Sequence, residues 1–203
     1  MSRRLAVLAS GRGSNLQAII DAIADGRLDA SVAIVIANRP SAAALDRASA
    51  AGIESRYLNP REFNGRDEFD VAVAKALTAS RVDLVCLAGY MRLVGAPLLH
   101  AFRDRVLNIH PSLLPSFPGL EAQRQALEHG VRISGATVHF VTQELDGGPI
   151  VLQAAVPVFA DDTVDTLSAR ILVEEHRIYP EAIQLVLDAH WSITGRRVVL
   201  TRR

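Results

Sequence analysis

The stretch "LAVLASGRGSNLQAIIDAIADG", residues 5–26, decides the fold. Five small or apolar residues lead into a glycine-rich turn. Apolar residues then recur at helical spacing from Leu16 until Gly26, a C-terminal cap. A strand that passes through a short loop into a helix is the first half of a βαβ unit, and the alternation repeats downstream. "VAIVIAN" (32–38) reads as a second strand and "AAALDRASAAG" (42–52) as a second helix. "SRYLN" (55–59) is a weak third strand, followed by the helix "RDEFDVAVAKALTAS" (66–80) with acidic residues in its first turn, where the helix dipole favours them. "DLVCLAG" (83–89) and "RVLNIH" (105–110) are strands four and five. These strands are nearly continuous apolar runs, the pattern of a sheet covered on both faces by helices. After Gly130 the pattern changes. "GATVHFVTQ" and "GGPIVLQAAVPV" form a hairpin turned at "ELDGGP", and a long helical stretch, 164–190, closes the chain with Pro180 as a kink. The expected fold is α/β, a Rossmann-like open sheet that is mostly parallel with an antiparallel edge from a C-terminal hairpin. It is one domain, 1–203, with a phosphate- or nucleotide-binding half, 1–103, and a catalytic half, 104–203.

Composition narrows the function. Net charge is zero and 49% of the 203 residues are hydrophobic, which supports a sizeable core and argues against a nucleic-acid groove or an anionic membrane surface. No apolar run reaches the length of a membrane helix. The apolar start is too short for a signal peptide and reads as a strand. The basic tips "SRR" (2–4) and "TRR" (201–203) read as solvated termini. A lone cysteine, Cys86, lies inside strand four and is a buried thiol rather than a nucleophile. The expected setting is the cytoplasm.

The loop "ASGRGSN" supplies backbone N–H groups at a helix start, an anion site in waiting. A dinucleotide fingerprint needs a third glycine where Leu16 stands and an acidic residue where Asn38 stands; a Walker loop needs Gly-Lys-Ser/Thr. Neither is met. What remains is a pocket for one phosphate, or a serine-capped turn with no ligand.

In "VLNIHPSLLPSFPG" (106–119), Asn108 and His110 share one face at the carboxyl end of strand five, where open α/β sheets place ligands. Pro111 and Pro115 keep the next segment extended. An imidazole moves protons near neutral pH, and an amide N–H donates to a carbonyl oxygen that is becoming negative. The pair suits attack on a carbonyl or formyl carbon, with Asp146 of "ELDGGP" as the histidine's partner. Each residue also has a structural reading: a loop cap, a bond to a backbone carbonyl, and a hairpin turn. His110, His139 and Asp146 could in principle hold iron, but no pair has compact ligand spacing and no metal is assigned.

"LASGRGSNLQAII", "LAGYMRL", "LNIHPSLLPSFPG", "VHFVTQELDGGPIVLQ" and "EEHRIYPEAI" together resemble the phosphoribosylglycinamide formyltransferase family, folate-dependent enzymes of purine synthesis. The resemblance covers nearly the whole chain and makes residues 104–203 the folate-binding and catalytic half. It implies 10-formyltetrahydrofolate as co-substrate and 5-phosphoribosylglycinamide as acceptor, with the catalytic set Asn108, His110 and Asp146. It further implies that Asn108 holds the formyl oxygen, that His110 shuttles protons, and that Asp146 partners the imidazole and orders a water. Gly13, Ser14, Asn15 and Glu175 would bind the ribonucleotide. Arg66, Met91, Arg92, Leu93, Val94 and Asn108 would bind the folate, with Arg66 toward its glutamate tail, and Thr137 would support the catalytic group. Gln123 and Leu172 depart from the family pattern and bear on loop ordering and ribose recognition. The implied partners are small molecules, with no nucleic acid or membrane, and the state is monomer or homodimer. Alternatives are another formyltransferase, such as one acting on initiator methionyl-tRNA, which usually carries a further basic domain; a formyltetrahydrofolate hydrolase with its added regulatory domain; or a non-catalytic sensor of a phosphate ligand.

Overall fold

A computed structural model describes residues 3–188 and 190–201 and resolves the chain into two compact units, Met1–Asn108 and Ile109–Arg203. In the first, β1 (Arg4–Ala9), β2 (Ser31–Ala37), β3 (Ser55–Tyr57), β4 (Leu84–Leu87) and β5 (Val106–His110, whose last two residues begin the second unit) pair in the order β3-β2-β1-β4-β5, all parallel. The connecting helices are α1 (Ser14–Ala24), α2 (Ala43–Ala50), α3 (Arg66–Ala79) and α4 (Ala96–Ala101). Leu5, Val7, Leu8, Leu16, Ile19, Ile34, Phe69 and Leu77 are fully buried. Each such side chain contributes roughly 1.5–3 kcal/mol by leaving water.

The strand order reverses direction between β1 and β4. At such a switch point the loops leaving the two strands diverge and open a crevice at their carboxyl ends. The loops are 10–13 after β1 and 88–95 after β4. Ser10 ties them together: its N–H donates to Gly89 O at 3.1 Å and its Oγ accepts from Met91 N at 2.8 Å.

The second unit holds α5 (Ala122–Glu128), β6 (Ile133–Phe140), β7 (Ile150–Pro157), α6 (Val164–Asp188), β8 (His190–Thr194) and β9 (Arg197–Thr201). β6 and β7 form the antiparallel hairpin, β9 runs parallel to β7, and β8 is antiparallel to β9. The helix α6 continues through Pro180, and its buried stripe includes Leu167, Ile171, Ile178, Tyr179 and Ile183.

The sequence expectations hold for the parallel strands, the long helices and the β6–β7 hairpin. Three features depart from them. The short helices α4 and α5 carry too few residues to show a period. The chain does not close on α6, because "HWSIT" and "RVVLT" turn at Gly195, φ 61°, into a final hairpin. Arg4 is no solvated tip: it opens β1 and its Nε donates to Ser80 O at 3.0 Å, while Arg3 pairs with Asp29 at 3.0 Å. Ser2, Arg202 and Arg203 of the predicted tips lie outside the described residues.

Gly135 in β6 is where the hairpin leaves least room. A Cβ there would run into the Ala154 carbonyl of β7 and lie 2.8 Å from Leu113 Cδ2. Gly135→Ala is therefore expected to destabilise the protein by about 1–3 kcal/mol, the usual cost of overpacking. The check is a urea titration; a wild-type midpoint would contradict so close an approach.

Candidate active site

His110 ends β5, and its side chain is buried. Its Nε2 lies 2.9 Å from Phe117 O. A carbonyl only accepts, so Nε2 carries the hydrogen in this arrangement. The other ring nitrogen, Nδ1, faces Asp146 Oδ2 at 3.5 Å. Asp146 sits in the β6–β7 connection with φ 48°, a left-handed conformation that aspartate tolerates better than most residues. Its Oδ2 also accepts from Gly119 N at 2.8 Å. The loop after β5 thus contributes two backbone groups: Phe117 O to the imidazole and Gly119 N–H to its carboxyl partner.

The loop is held in turn. Thr137, fully buried on β6, donates to Ser112 O at 2.7 Å and accepts from Leu114 N at 3.0 Å. Gln153 on β7 donates from Nε2 to Thr137 Oγ1 at 2.9 Å and to Leu114 O at 3.0 Å. Ser112 Oγ donates to Ser116 O at 2.5 Å. On α5, Gln125 Nε2 donates to Leu120 O at 2.9 Å; just past its end, the His129 ring lies 5.2 Å from that of Phe117. Gly148 is required beside Asp146, because a Cβ there would strike Phe140 O. Sequence reasoning named Thr137 but missed Gln153, Ser112 and Gln125. A glutamine on an otherwise apolar strand was the available signal.

His139 lies on the other side of the same carboxyl group. Its Nε2 is 3.7 Å from Asp146 Oδ1 and its Nδ1 is 3.0 Å from Phe140 O. Burial pushes its proton affinity below the ordinary value; the Phe140 carbonyl and Asp146 pull the other way, while His110 adds to the depression. Among the described residues no set of three His, Cys, Asp or Glu side chains is arranged to hold a metal ion.

In the first unit, Gly13 is the N-cap of α1 at φ 69°, and Ser14 and Asn15 are the first helical residues. A Cβ on Gly13 would lie 2.8 Å from Ala44, so this position requires glycine twice over. Arg47 on α2 braces the loop from behind: its Nε donates to Arg12 O at 2.8 Å and its Nη1 to Gln17 Oε1 at 3.1 Å. In the loop after β4, Met91 and Leu93 are exposed, Arg92 and Val94 are half-buried, and the Arg92 guanidinium stacks 4.7 Å over the Phe69 ring. Arg66 opens α3, half-exposed, 3.8 Å from Asp67. Asn108, opposite Leu87 of β4, is the last residue of this unit, two before His110 on the same strand. In the second unit Glu175 is buried on α6, and Leu172 and Gln123 are half-buried.

Comparison with known proteins gives a consistent result. A formyl transferase family model matches residues 3–183. The phosphoribosylglycinamide formyltransferase of Escherichia coli (strain K12) is 46% identical over 184 residues, covering 91% of this chain and 87% of that protein. The trifunctional purine biosynthetic protein adenosine-3 of Homo sapiens is 50% identical over 183 residues; the match takes in 90% of this chain, which spans only 18% of that relative's length. The crystal structure of glycinamide ribonucleotide transformylase 1 from Symbiobacterium toebii superposes with a TM-score of 0.96 at 58% identity, covering 98% of this chain and 94% of that one.

The state of His139 has a measurable consequence. Its folded proton affinity is depressed from the ordinary 6.5, so the unfolded chain takes up the proton first as pH falls. Its contribution to stability is full above pH 6.5 and is lost on acidification below it, by up to about 1.4 kcal/mol per pH unit. Urea unfolding at pH 7.5 and 5.5 is expected to show a smaller acid loss in His139→Gln than in the wild type. Equal losses would mean that His139 titrates normally in the folded state.

Proposed function

The chain belongs to the formyl transferase family, and on that premise we propose that it transfers the formyl group of 10-formyltetrahydrofolate to the glycinamide amine of 5-phosphoribosylglycinamide. The observation that carries the reading is the buried His110–Asp146 pair, 3.5 Å apart, at the end of the strand that also bears Asn108. An imidazole with a carboxyl partner moves a proton, and an amide donor meets an oxygen gaining charge. An amine attack on a formyl carbon needs both.

In the proposed reaction the amine nitrogen bonds to the formyl carbon, and the carbonyl π pair moves onto oxygen, where the Asn108 amide donates to it. His110 takes the proton released by the amine and delivers one to N10 of the folate. The carbon–N10 bond then breaks, leaving the formylated amide and tetrahydrofolate. For Nε2 to accept a proton, the ring exchanges Phe117 O for the reacting atoms and its hydrogen moves to Nδ1, the nitrogen that faces Asp146 Oδ2. Asp146 keeps the ring oriented during that exchange, itself held by Gly119 N–H. Thr137 fixes the loop from which both backbone groups come. The N–H groups at Gly13, Ser14 and Asn15 hold the phosphate at the α1 N-terminus, the Ser14 hydroxyl and the Asn15 amide add side-chain donors, and Glu175 contacts the ribonucleotide. Met91, Leu93 and Val94 wall the folate, the backbone from Arg92 onward pairs with its pterin edge, and Arg66 meets its glutamate tail. The donor site is supported by one further feature: among the described residues the N–H groups of Arg92, Leu93 and Val94 donate to no protein acceptor.

A spectrophotometric assay with 10-formyl-dideazafolate tests the reading. Turnover is expected with the glycinamide ribonucleotide; turnover with water or another amine in its place would overturn the assignment. His110→Ala is expected to lower kcat by about a hundredfold to ten-thousandfold with nucleotide binding kept, and Asn108→Ala by about a hundredfold to a thousandfold. A phosphate sensor would have no turnover for either change to remove. Ser14→Ala with Asn15→Ala is expected to raise the nucleotide KM and leave the folate KM alone; an unmoved nucleotide KM would refute the phosphate loop.

A further inference from the structure

The loop after β4 is fixed at two points by side chains from elsewhere in the first unit. At one, Ser10 Oγ accepts from Met91 N at 2.8 Å. At the other, Asp70 Oδ2 accepts from Gly95 N at 2.5 Å in a buried bond. Asp70 comes from the second turn of α3 and is only 2% exposed. Gly95 fits so closely against it that a Cβ would lie 2.8 Å from Asp70 Oδ2 and 3.1 Å from Asp67 Oδ1. Between the two anchors, Met91 and Leu93 stand exposed at 57% and 56%, and the N–H groups of Arg92, Leu93 and Val94 donate to no protein acceptor among the described residues.

A carboxyl group is a costly device for holding one N–H, because burial disfavours its charge. Burial does raise the proton affinity of Asp70, while the Gly95 N–H, Arg66 and Arg92 lower it. The two arginines explain why a carboxyl stands here. Arg92 belongs to the loop itself and stacks on Phe69, the neighbour of Asp70 in sequence. Tyr90, also of this loop, is half-buried near Asp70 and Arg92 and is held protonated well above the ordinary phenol range, chiefly by desolvation and then by the Asp70 charge. One side chain therefore governs the loop in two ways: a hydrogen bond at its far end and a countercharge to its central arginine.

We infer that Asp70 is a positioning residue for the folate: it holds residues 91–95 in the conformation that presents the N–H groups of Arg92, Leu93 and Val94 to the pterin edge. The inference rests on the folate reading proposed above. Asp70 itself touches no substrate. Its effect is to have the loop ordered before the ligand arrives, so that binding does not bear that cost.

The test compares Asp70→Ala and Asp70→Asn with the wild-type chain, using 10-formyl-dideazafolate and glycinamide ribonucleotide. Asp70→Ala loses both the bond and the charge, and its folate KM is expected to rise by about tenfold, the loss of one buried charge-assisted bond. Its nucleotide KM and its kcat at saturating folate should stay within twofold. Asp70→Asn keeps an acceptor oxygen and loses the charge; its folate KM should rise about threefold, a partial rescue that a merely structural role would not give. A folate KM at the wild-type value in both variants overturns the inference. So does a nucleotide KM that rises in parallel with the folate KM, since that marks a general loss of structure. Should Asp70→Ala fail to fold, Asp70→Asn decides alone: a threefold rise confined to the folate supports the inference and no rise overturns it. A wild-type chain inactive with these substrates refutes the proposed function and the inference with it; an active wild type with indifferent Asp70 variants refutes the inference only.

Discussion

The second unit is organised around the carboxyl group of Asp146. It meets three neighbours: the Gly119 N–H at 2.8 Å, the His110 ring at 3.5 Å and the His139 ring at 3.7 Å. Only the first is within hydrogen-bonding distance. The backbone bond fixes where the carboxyl group stands, and each imidazole is set beside it by a backbone carbonyl, Phe117 O for His110 and Phe140 O for His139. The surrounding structure serves this arrangement. The β6–β7 hairpin brings residue 146 back toward the end of β5, Gly148 lets the connection lie flat on Phe140, and the Thr137–Gln153 pair pins the start of the opposing loop.

Each unit uses the same construction. A loop that leaves a strand end is anchored by side chains from other elements and keeps its own backbone groups for other work. In the first unit Arg47 and Ala44 support the glycine loop, while Ser10 and Asp70 hold the loop after β4. In the second, Thr137, Gln153 and Gln125 hold residues 112–120. Backbone donors and acceptors held this way need no reorganisation when charge develops near them, which is where preorganised dipoles contribute most.

Much of this could be read from the chain alone, and the rest was hidden for physical reasons. Periodicity exposed β1, β2, β4, β5 and the long helices because each spans enough residues to repeat its pattern. The pair Asn108 and His110 was legible from alternation on one strand, and Asp146 from its turn. The elements α4 and α5 were missed because six or seven residues hold no usable period. The hairpin β8–β9 was missed because five residues on each side of a glycine turn alternate too briefly to stand out from the helix before them. The anchors were least legible. Phe117 O and Gly119 N are backbone atoms, present at every position, and nothing in a sequence distinguishes the ones that are used. Asp70 reads as one more acidic residue near the start of a helix, a place where dipole complementarity already accounts for it. Only its burial and its bond to Gly95 separate it from Asp67 and Glu68.

The left-handed backbone at Asp146 has a consequence for how this protein tolerates change. A side chain held at φ 48° carries a conformational cost of order 1 kcal/mol, which glycine at the same place escapes. Replacing Asp146 by glycine relieves the main chain, while it removes the acceptor of the Gly119 N–H and adds the chain entropy that glycine brings to the unfolded state. The gain offsets part of the loss, so heat stability registers this change less than the disappearance of the carboxyl group beside His110 would suggest. At this residue thermal robustness and the make-up of the site answer to different atoms.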